Sequence, residues 1–237
     1  MTQINNNVHK FQLLKLLTGV VDNPVLSQNI YFKGGTCAAM RGFLDRFSVD
    51  LDFDLKEGAD LVRLRSEFNS VIKKEDLTIE NGNKKTLFYI LKYQTSANVR
   101  NTIKLSVYED VVRSNDYETV FLSEIDRLIN CQTIETMFAN KLVAPVDRFQ
   151  KHQKIAGRDI YDIHYFFLQG YEFKKEIIEE RMNMGVQNYI KILTDFIERN
   201  ITETVLTQDL STLLPYDKFQ KVRKTLKQEV LMFLRSI

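Results

Sequence analysis

Nine consecutive residues of this sequence alternate between apolar and polar side chains: FSVDLDFDL at positions 47–55. Such alternation predicts a β-strand with one buried face, because successive side chains of a strand point to opposite sides. The polar face would carry Asp50, Asp52 and Asp54, with neighbouring carboxylates roughly 6–7 Å apart. Like charges at that spacing repel one another unless a cation or solvent relieves them. The strand therefore predicts either a cation site or a solvated acidic face.

The remaining hydrophobic pattern divides the chain into a mixed first part and a helical second part. Alternation and turn signals predict strands at 29–32 and 101–109 and a hairpin around Asn81, Gly82 and Asn83. Apolar spacing of helical period predicts helices at 8–19, from Thr36, and at 59–74, 133–147, 157–169, 173–182, 186–199 and 216–236. We therefore predict an α+β chain, with a mixed-sheet domain over residues 1–125 and a helical bundle over residues 126–237.

Composition limits the classes of partner and compartment. The 33 Lys and Arg residues nearly balance the 31 Asp and Glu residues, so bulk charge gives no reason to expect nucleic-acid or membrane binding. No segment approaches the ~18 apolar residues of a membrane helix, and the N-terminal segment is polar. Cys37 and Cys131 match neither a metal motif nor a disulfide framework. We therefore expect a soluble, cytoplasmic protein without a membrane partner.

Two glycines follow the predicted strand at 29–32. Backbone can approach a ligand closely at Gly34 and Gly35, and the predicted helix start at Thr36 offers free N–H groups to a phosphate. Mg²⁺ is bound by carboxylates together with substrate phosphates, and such ions support phosphoryl transfer. A glycine turn followed by an acidic strand is therefore typical of a phosphate-handling site, although a tight turn alone explains the two glycines almost as well.

The order of these motifs resembles that of a known enzyme family. KGGT followed by RFSVDLDFDL resembles the first motif of the DNA polymerase β-like nucleotidyltransferases, and more narrowly the AbiEii/AbiGii toxin family. Downstream, TIETMFANKLVAPVDR (133–148) is similar to the helical segment of that family. GRDIYDIHYFF (157–167) is similar to its Arg-Asp-x-Tyr-Asp signature. Together these motifs cover more than half of the chain, in the order of the family.

The resemblance implies a role for each motif residue. It makes Asp50 and Asp52 the ligands of Mg²⁺ or Mn²⁺ and, with Lys141 and Asp162, the catalytic residues. Asp162 would be the general base, supported by Arg158 four residues earlier on the same helical face. The resemblance and the local charge assign the nucleoside triphosphate to Lys33, Gly34, Gly35, Thr36, Ser48, Lys141 and Arg158. From the residues alone, Lys141 could equally be an exposed lysine, and Arg158 and Asp162 a structural ion pair.

One motif departs from the family. A third carboxylate is expected on a central strand, but the equivalent stretch here carries Ser106, with Glu109 and Asp110 as later substitutes.

By resemblance the chain is a nucleotidyltransferase and the toxin of a bacterial toxin–antitoxin or abortive-infection (phage-defence) system, with transfer RNA as acceptor and a separately encoded antitoxin as partner. Transfer to a protein or a small molecule stays open, as does an inactive module that binds nucleotide or RNA. The basic run at 218–228 is either a solvated helix face or an RNA contact.

Overall fold

The computed structural model describes residues 3–83, 85–95 and 100–237, with side chains from residue 6. Residues 1 and 2 of the polar N-terminal segment lie outside it. The described chain forms two compact units. The first contains residues up to 42, 48–111 and 117–132, and the second contains 43–47, 112–116 and 133–237. This division differs from a single boundary at 125/126, because a strand over 127–132 belongs to the first unit and two short earlier segments belong to the second.

The first unit is a mixed sheet with helices. Its elements are α1 (Gln3–Asp22), α2 (Pro24–Ser27), β1 (Ile30–Lys33), α3 (Gly34–Met40), β2 (Asp50–Leu55), α4 (Leu61–Lys74), β3 (Thr78–Gly82), β4 (Phe88–Lys92), β5 (Thr102–Tyr108), β6 (Tyr117–Leu122) and β7 (Arg127–Gln132). Within the described residues the strands form one sheet of order β3-β4-β5-β2-β1-β7-β6. β2 pairs with β5, and β1 with β7, in parallel, whereas the other neighbours are antiparallel. The predicted hairpin forms as β3 and β4, but Asn81 and Gly82, predicted in its turn, lie in β3 and pair with Ile90 and Tyr89.

The alternating strand is β2, which lies between β1 and β5 in the sheet. Its apolar side chains Leu51 and Phe53 are fully buried, as the alternation predicts. Phe53 packs against Phe32 of β1 at a ring-centroid distance of 5.3 Å. Leu16 and Leu17 of α1 are also fully buried. Burial of one face of β2 fixes its register, and a shift of one residue would turn its aspartates inward.

The second unit is helical, as predicted. Its helices are α5 (Ile134–His152), α6 (Gly157–Leu168), α7 (Lys175–Met182), α8 (Val186–Asn200), α9 (Glu203–Leu210) and α10 (Tyr216–Arg235). Phe138 of α5 packs edge-on against Phe166 and Phe167 of α6, with centroid distances of 5.2 and 4.8 Å. The α+β class predicted from the sequence is therefore confirmed.

Two short segments join the helices although they precede them in the chain. In residues 43–47, the N–H of Phe47 donates to the Leu213 carbonyl at 3.1 Å. In residues 112–116, the N–H of Asp116 donates to Thr136 Oγ1 at 3.0 Å. Among the helices that the structure describes, none is long and apolar enough to cross a membrane.

Candidate active site

Two of the three aspartates on β2 remain partly exposed. Asp50 and Asp52 lie on one face of the strand, two residues apart. Asp54 is 5% exposed and pairs with Lys33 of β1. It also accepts hydrogen bonds from Tyr117 Oη at 3.0 Å and Gln132 Nε2 at 2.6 Å. The acidic face is thus reduced to two carboxylates, because Lys33 of β1, Tyr117 of β6 and Gln132 of β7 neutralise and cover the third.

The ammonium group of Lys33 makes two contacts within the sheet unit. Besides its ion pair with Asp54, its ammonium lies 3.9 Å from the ring centroid of Tyr108, a cation–π distance. Lys33 is also in register with Asp52 across β1 and β2. Its ammonium therefore neutralises Asp54, the third carboxylate of the strand.

The two glycines are the first residues of α3, which begins at Gly34 and not at the predicted Thr36, and Gly34 lies directly against the acidic strand. Gly34 has a φ of +79°, which L side chains rarely adopt, and a Cβ atom there would lie 2.9 Å from Asp52 Oδ2. The following Gly35 is buried. The hydroxyl of Thr36 lies 2.5 Å from the Asp50 carbonyl oxygen and 2.9 Å from Ser48 Oγ. Because a carbonyl oxygen can only accept, Thr36 donates to Asp50 and fixes the start of β2.

Strand register puts Ser106 beside Asp52. β5 runs parallel to β2, with Asp52 opposite Ser106 and Asp50 opposite Lys104. Ser106 is 6% exposed, and its hydroxyl has no hydrogen-bond partner among the residues that the structure describes. Glu109 lies three residues further, roughly 10 Å along the strand, and accepts from the Leu87 N–H at 3.3 Å. Glu109 is therefore too far from Asp52 to replace a carboxylate at position 106.

These donors fit a hard divalent cation. Asp50 and Asp52 supply two carboxylates on one face, Gly34 leaves the space at Asp52 Oδ2 that a Cβ would fill, and Ser106 adds a buried hydroxyl. Mg²⁺ accepts one or two carboxylates and completes its shell with phosphates and water. Within the described part of the chain, no three His, Cys, Asp or Glu side chains are grouped to hold a metal by themselves.

The helical unit contains a connected charge cluster of five residues. Arg46 donates to Asp162 from Nε at 2.5 Å and from Nη2 at 2.7 Å, a bidentate contact. Lys141 Nζ lies 2.7 Å from the Asp162 carboxylate and 3.5 Å from that of Asp159. Arg148 binds Asp159 at 3.0 Å. Lys141 and Arg148 share a face of α5, and the two aspartates share a face of α6.

The carboxylates of this cluster are buried, whereas two of its cations are partly exposed. The side chains of Asp159 and Asp162 are 1% and 0% exposed, whereas those of Lys141 and Arg148 are 17% and 34% exposed. Three cations against two carboxylates also leave an excess of one positive charge. The cluster therefore presents positive charge to solvent from a buried acidic support, which suits the binding of an anion.

Asp162 itself is poorly suited to accept a proton. Burial alone would raise the pKa of its carboxyl, but the charges and hydrogen bonds of Arg46 and Lys141 outweigh burial and hold the pKa below its usual range. A fully buried carboxylate of low pKa is a weak general base. The geometry favours a role in positioning Lys141 and Arg46.

The pair of Arg158 with Asp162, which helical spacing allows, does not form within the described residues. The Asp162 oxygens are already bound by Arg46 and Lys141, and Arg158 is partly exposed in the first turn of α6. The correct partner, Arg46, lies 116 residues from Asp162 in the chain. Arg46 belongs to the motif at 46–53, but nothing in the spacing of that motif shows which acid an arginine will meet.

A known protein family matches most of the chain. Residues 15–230 match the family described as nucleotidyl transferase AbiEii toxin, type IV TA system. The sequence has no match among curated proteins.

Solved structures share the fold. JHP933 from Helicobacter pylori is 20% identical with a TM-score of 0.55, and the match covers 100% of this chain and 95% of that one. MenT4, a nucleotidyltransferase toxin from Mycobacterium tuberculosis H37Rv, is 11% identical with a TM-score of 0.56, covering 98% of this chain and 85% of that one.

Proposed function

Because the chain belongs to the AbiEii nucleotidyl transferase toxin family of type IV toxin–antitoxin systems, we propose that it transfers a nucleotidyl group from a nucleoside triphosphate to a hydroxyl of transfer RNA, with Mg²⁺ or Mn²⁺ as cofactor. Membership of the family makes the chain a nucleotidyl-transfer enzyme and implies a separate antitoxin. The acceptor, the metal and a cytoplasmic location are part of the proposal. The free thiols of Cys37 and Cys131 support the cytoplasmic location.

In this reaction the acceptor hydroxyl oxygen bonds to the α-phosphorus, the bond to the β-phosphate oxygen breaks, pyrophosphate leaves, and the hydroxyl proton passes to solvent. Asp50 and Asp52 would hold the divalent cation, which when bound stabilises charge on the attacking and leaving oxygens. Gly34 and Gly35 would let phosphate oxygens approach the backbone, with Thr36 and Ser48 beside them and Lys33 adding positive charge.

The family resemblance assigns phosphate binding to residues of the charge cluster as well. Lys141 would offset negative charge as the phosphoryl group moves, since transfer of this kind relies on electrostatic stabilisation. Asp162 would hold Lys141 in place, and Arg158 would add a second cation. The observation that carries the proposal is the pair of Asp50 and Asp52 on one strand face, with Gly34 in contact with Asp52.

The test incubates the purified chain with each labelled nucleoside triphosphate, Mg²⁺ and total bacterial RNA. We expect label in RNA of transfer-RNA size with the wild type and none with Asp50→Ala. Asp110→Ala is the matched control, because Asp110 is an exposed aspartate beyond the end of β5. It should label RNA as the wild type does.

Growth inhibition provides the second readout. Asp52→Asn and Lys141→Ala should each abolish it while the purified variants keep the circular dichroism spectrum of the wild type. Toxicity of a well-expressed Asp52→Asn protein would remove Asp52 from the metal site. Label on a protein or a small molecule would replace RNA as the acceptor. Nucleotide binding without any transfer would favour an inactive binding module, the outcome that the neutral Ser106 most directly suggests.

A further inference from the structure

The helical unit carries a basic segment that extends beyond Arg148 of the charge cluster. From Arg148 to Arg158 the chain has two arginines, Lys151, His152 and Lys154, and no acidic residue. This segment, called here the basic turn (residues 148–158), contains the last turn of α5, the connection and the start of α6. Four of its eleven side chains are thus Lys or Arg.

Part of this charge lacks a protein partner. Lys151 pairs with Asp147 at 3.0 Å on its own helix, with its side chain 57% exposed. His152 and Lys154 are exposed and form no ion pair within the described residues. An exposed pair of this type contributes little to stability, so neither Lys151 nor Lys154 has an evident structural task.

In contrast to the basic turn, the basic run at 218–228 on α10 has protein partners for most of its cations. Lys218 pairs with Asp45, and Arg223 pairs with Glu203 at 3.2 Å. Lys227 donates to the carbonyls of Glu198 and Ile201 at 2.8 and 2.9 Å, at the end of α8. Most of this run therefore holds the helical unit together, which leaves Lys221 and Lys224 as its exposed lysines without such contacts.

The basic turn continues the exposed positive side of the charge cluster. Lys141, Arg148 and His152 are spaced by seven and four residues on α5 and so share one helix face. Lys141 and Arg148 both bind Asp159. The exposed cations of the cluster are thus followed along α5 by Lys151 in its last turn, where Asp147 pairs with it.

We propose that the basic turn binds the phosphodiester backbone of the acceptor RNA, and this inference rests on the proposed function. A polyanion suits the basic turn because Lys151, Lys154 and Arg158 follow one another with no carboxylate inside the segment, and lysines bind phosphate irrespective of base sequence. Lys151 and His152 also lie in the last turn of α5, where cations complement the helix dipole. If these residues serve only the helix dipole, their replacement should lower stability and leave RNA binding unchanged.

The test compares two matched double variants of the full chain, Lys151→Gln/Lys154→Gln and Lys221→Gln/Lys224→Gln. Each removes two exposed lysines of identical spacing from the helical unit. Binding of labelled total bacterial transfer RNA is measured by fluorescence anisotropy without nucleotide, at salt concentrations from about 50 to about 200 mM. The basic-turn variant should bind more weakly, with a log–log salt slope shallower by about 1.4–1.8. The α10 variant should match the wild type, and both should keep their Tm and nucleotide affinity.

The outcomes separate this inference from the proposed function. RNA binding by the basic-turn variant equal to that of the wild type, or an equal loss in both variants, would overturn the inference even if the wild type labels RNA. A lowered Tm with unchanged RNA binding would assign the lysines to the helix dipole. Absence of RNA binding by the wild type would also overturn it, and loss of labelling of an acidic protein in the basic-turn variant alone would assign the segment to a protein acceptor.

Discussion

Single side chains determine the charge of this site. Replacement of Ser106 can distinguish a role in stability from a role in nucleotide binding. Its buried hydroxyl has no hydrogen-bond partner among the described residues and lies in register with Asp52. Removing an unsatisfied buried hydroxyl should leave stability unchanged or raise it by roughly 1 kcal/mol. If the hydroxyl serves the cation or its ligands, Ser106→Ala should at the same time weaken Mg²⁺-dependent nucleotide binding by roughly tenfold.

Thermal unfolding and calorimetric titration with nucleotide and Mg²⁺ measure the two effects of Ser106→Ala. Ser70→Ala serves as the control, because Ser70 is exposed on α4 of the same unit. A lowered Tm with unchanged nucleotide affinity would assign the hydroxyl of Ser106 to the fold alone.

The three aspartates of β2 show how far sequence reasoning reaches for single residues. Alternation correctly puts Asp50, Asp52 and Asp54 on one face, but it treats them as equivalent. Asp54 differs because Lys33 and Gln132, from two other strands, meet its carboxylate. Contacts of that kind depend on strand order, which the local pattern does not contain.

At the level of elements, the position of α6 depends on one close contact. Gly157 begins α6, and a Cβ there would lie 2.9 Å from the Val205 carbonyl oxygen and 3.0 Å from the Leu206 Cα, both backbone atoms of the α9 region. Backbone cannot move as freely as a side chain, so Gly157→Ala should lower the free energy of unfolding by about 1–3 kcal/mol. Because α6 carries Asp159 and Asp162, we also expect lower nucleotidyl transfer.

Chemical denaturation measures the effect of Gly157→Ala. The control is Gly185→Ala, where an added Cβ meets nothing within 4 Å, and where we expect a change within about 0.5 kcal/mol. Equal stability of Gly157→Ala and the wild type would mean that α6 and α9 separate without cost.

Elements with strong periodicity are predictable here, and weakly patterned ones are not. The helices of the second unit and strand β2 follow their apolar spacing. The β6–β7 hairpin has exposed apolar residues, with Phe121 and Leu128 59% and 65% exposed, so its alternation does not separate a buried face from a polar one. The short helix α9 was also missed. Because the pattern does not predict β7, it ends the sheet too early in the chain.

Across the whole chain, the two units interleave in sequence. β7 pairs with β1 inside the sheet, while residues 43–47 and 112–116 belong to the helical unit. A fragment that ends at residue 125 would therefore lack a strand of the first unit, and a fragment that starts at 126 would lack Arg46, the bidentate partner of Asp162. Global properties such as unfolding should be measured on the full chain.

One such property is the pH dependence of unfolding, which His9 should control near neutrality. His9 of α1 is 1% exposed, with Nε2 3.0 Å from the Val49 carbonyl oxygen and Nδ1 2.9 Å from Tyr93 Oη. Burial lowers the pKa of His9, and the hydrogen bond to Val49 only partly opposes it. Below an unfolded-state pKa of about 6.5, the unfolded chain therefore takes up a proton that the folded chain refuses, and stability falls as the pH falls.

The free energy of unfolding should accordingly decrease between pH 7.5 and 5.5, by up to about 1.4 kcal/mol per pH unit within that window. Urea denaturation at several pH values measures it. His9→Gln should be less stable at pH 7.5 but show a smaller decrease, because it cannot take up the proton. His152→Gln, which changes an exposed histidine of the helical unit, should keep the wild-type decrease. A pH dependence of unfolding in His9→Gln equal to that of the wild type would assign the decrease to other groups. A histidine that is neutral in the folded state and protonated in the unfolded state must contribute to that dependence.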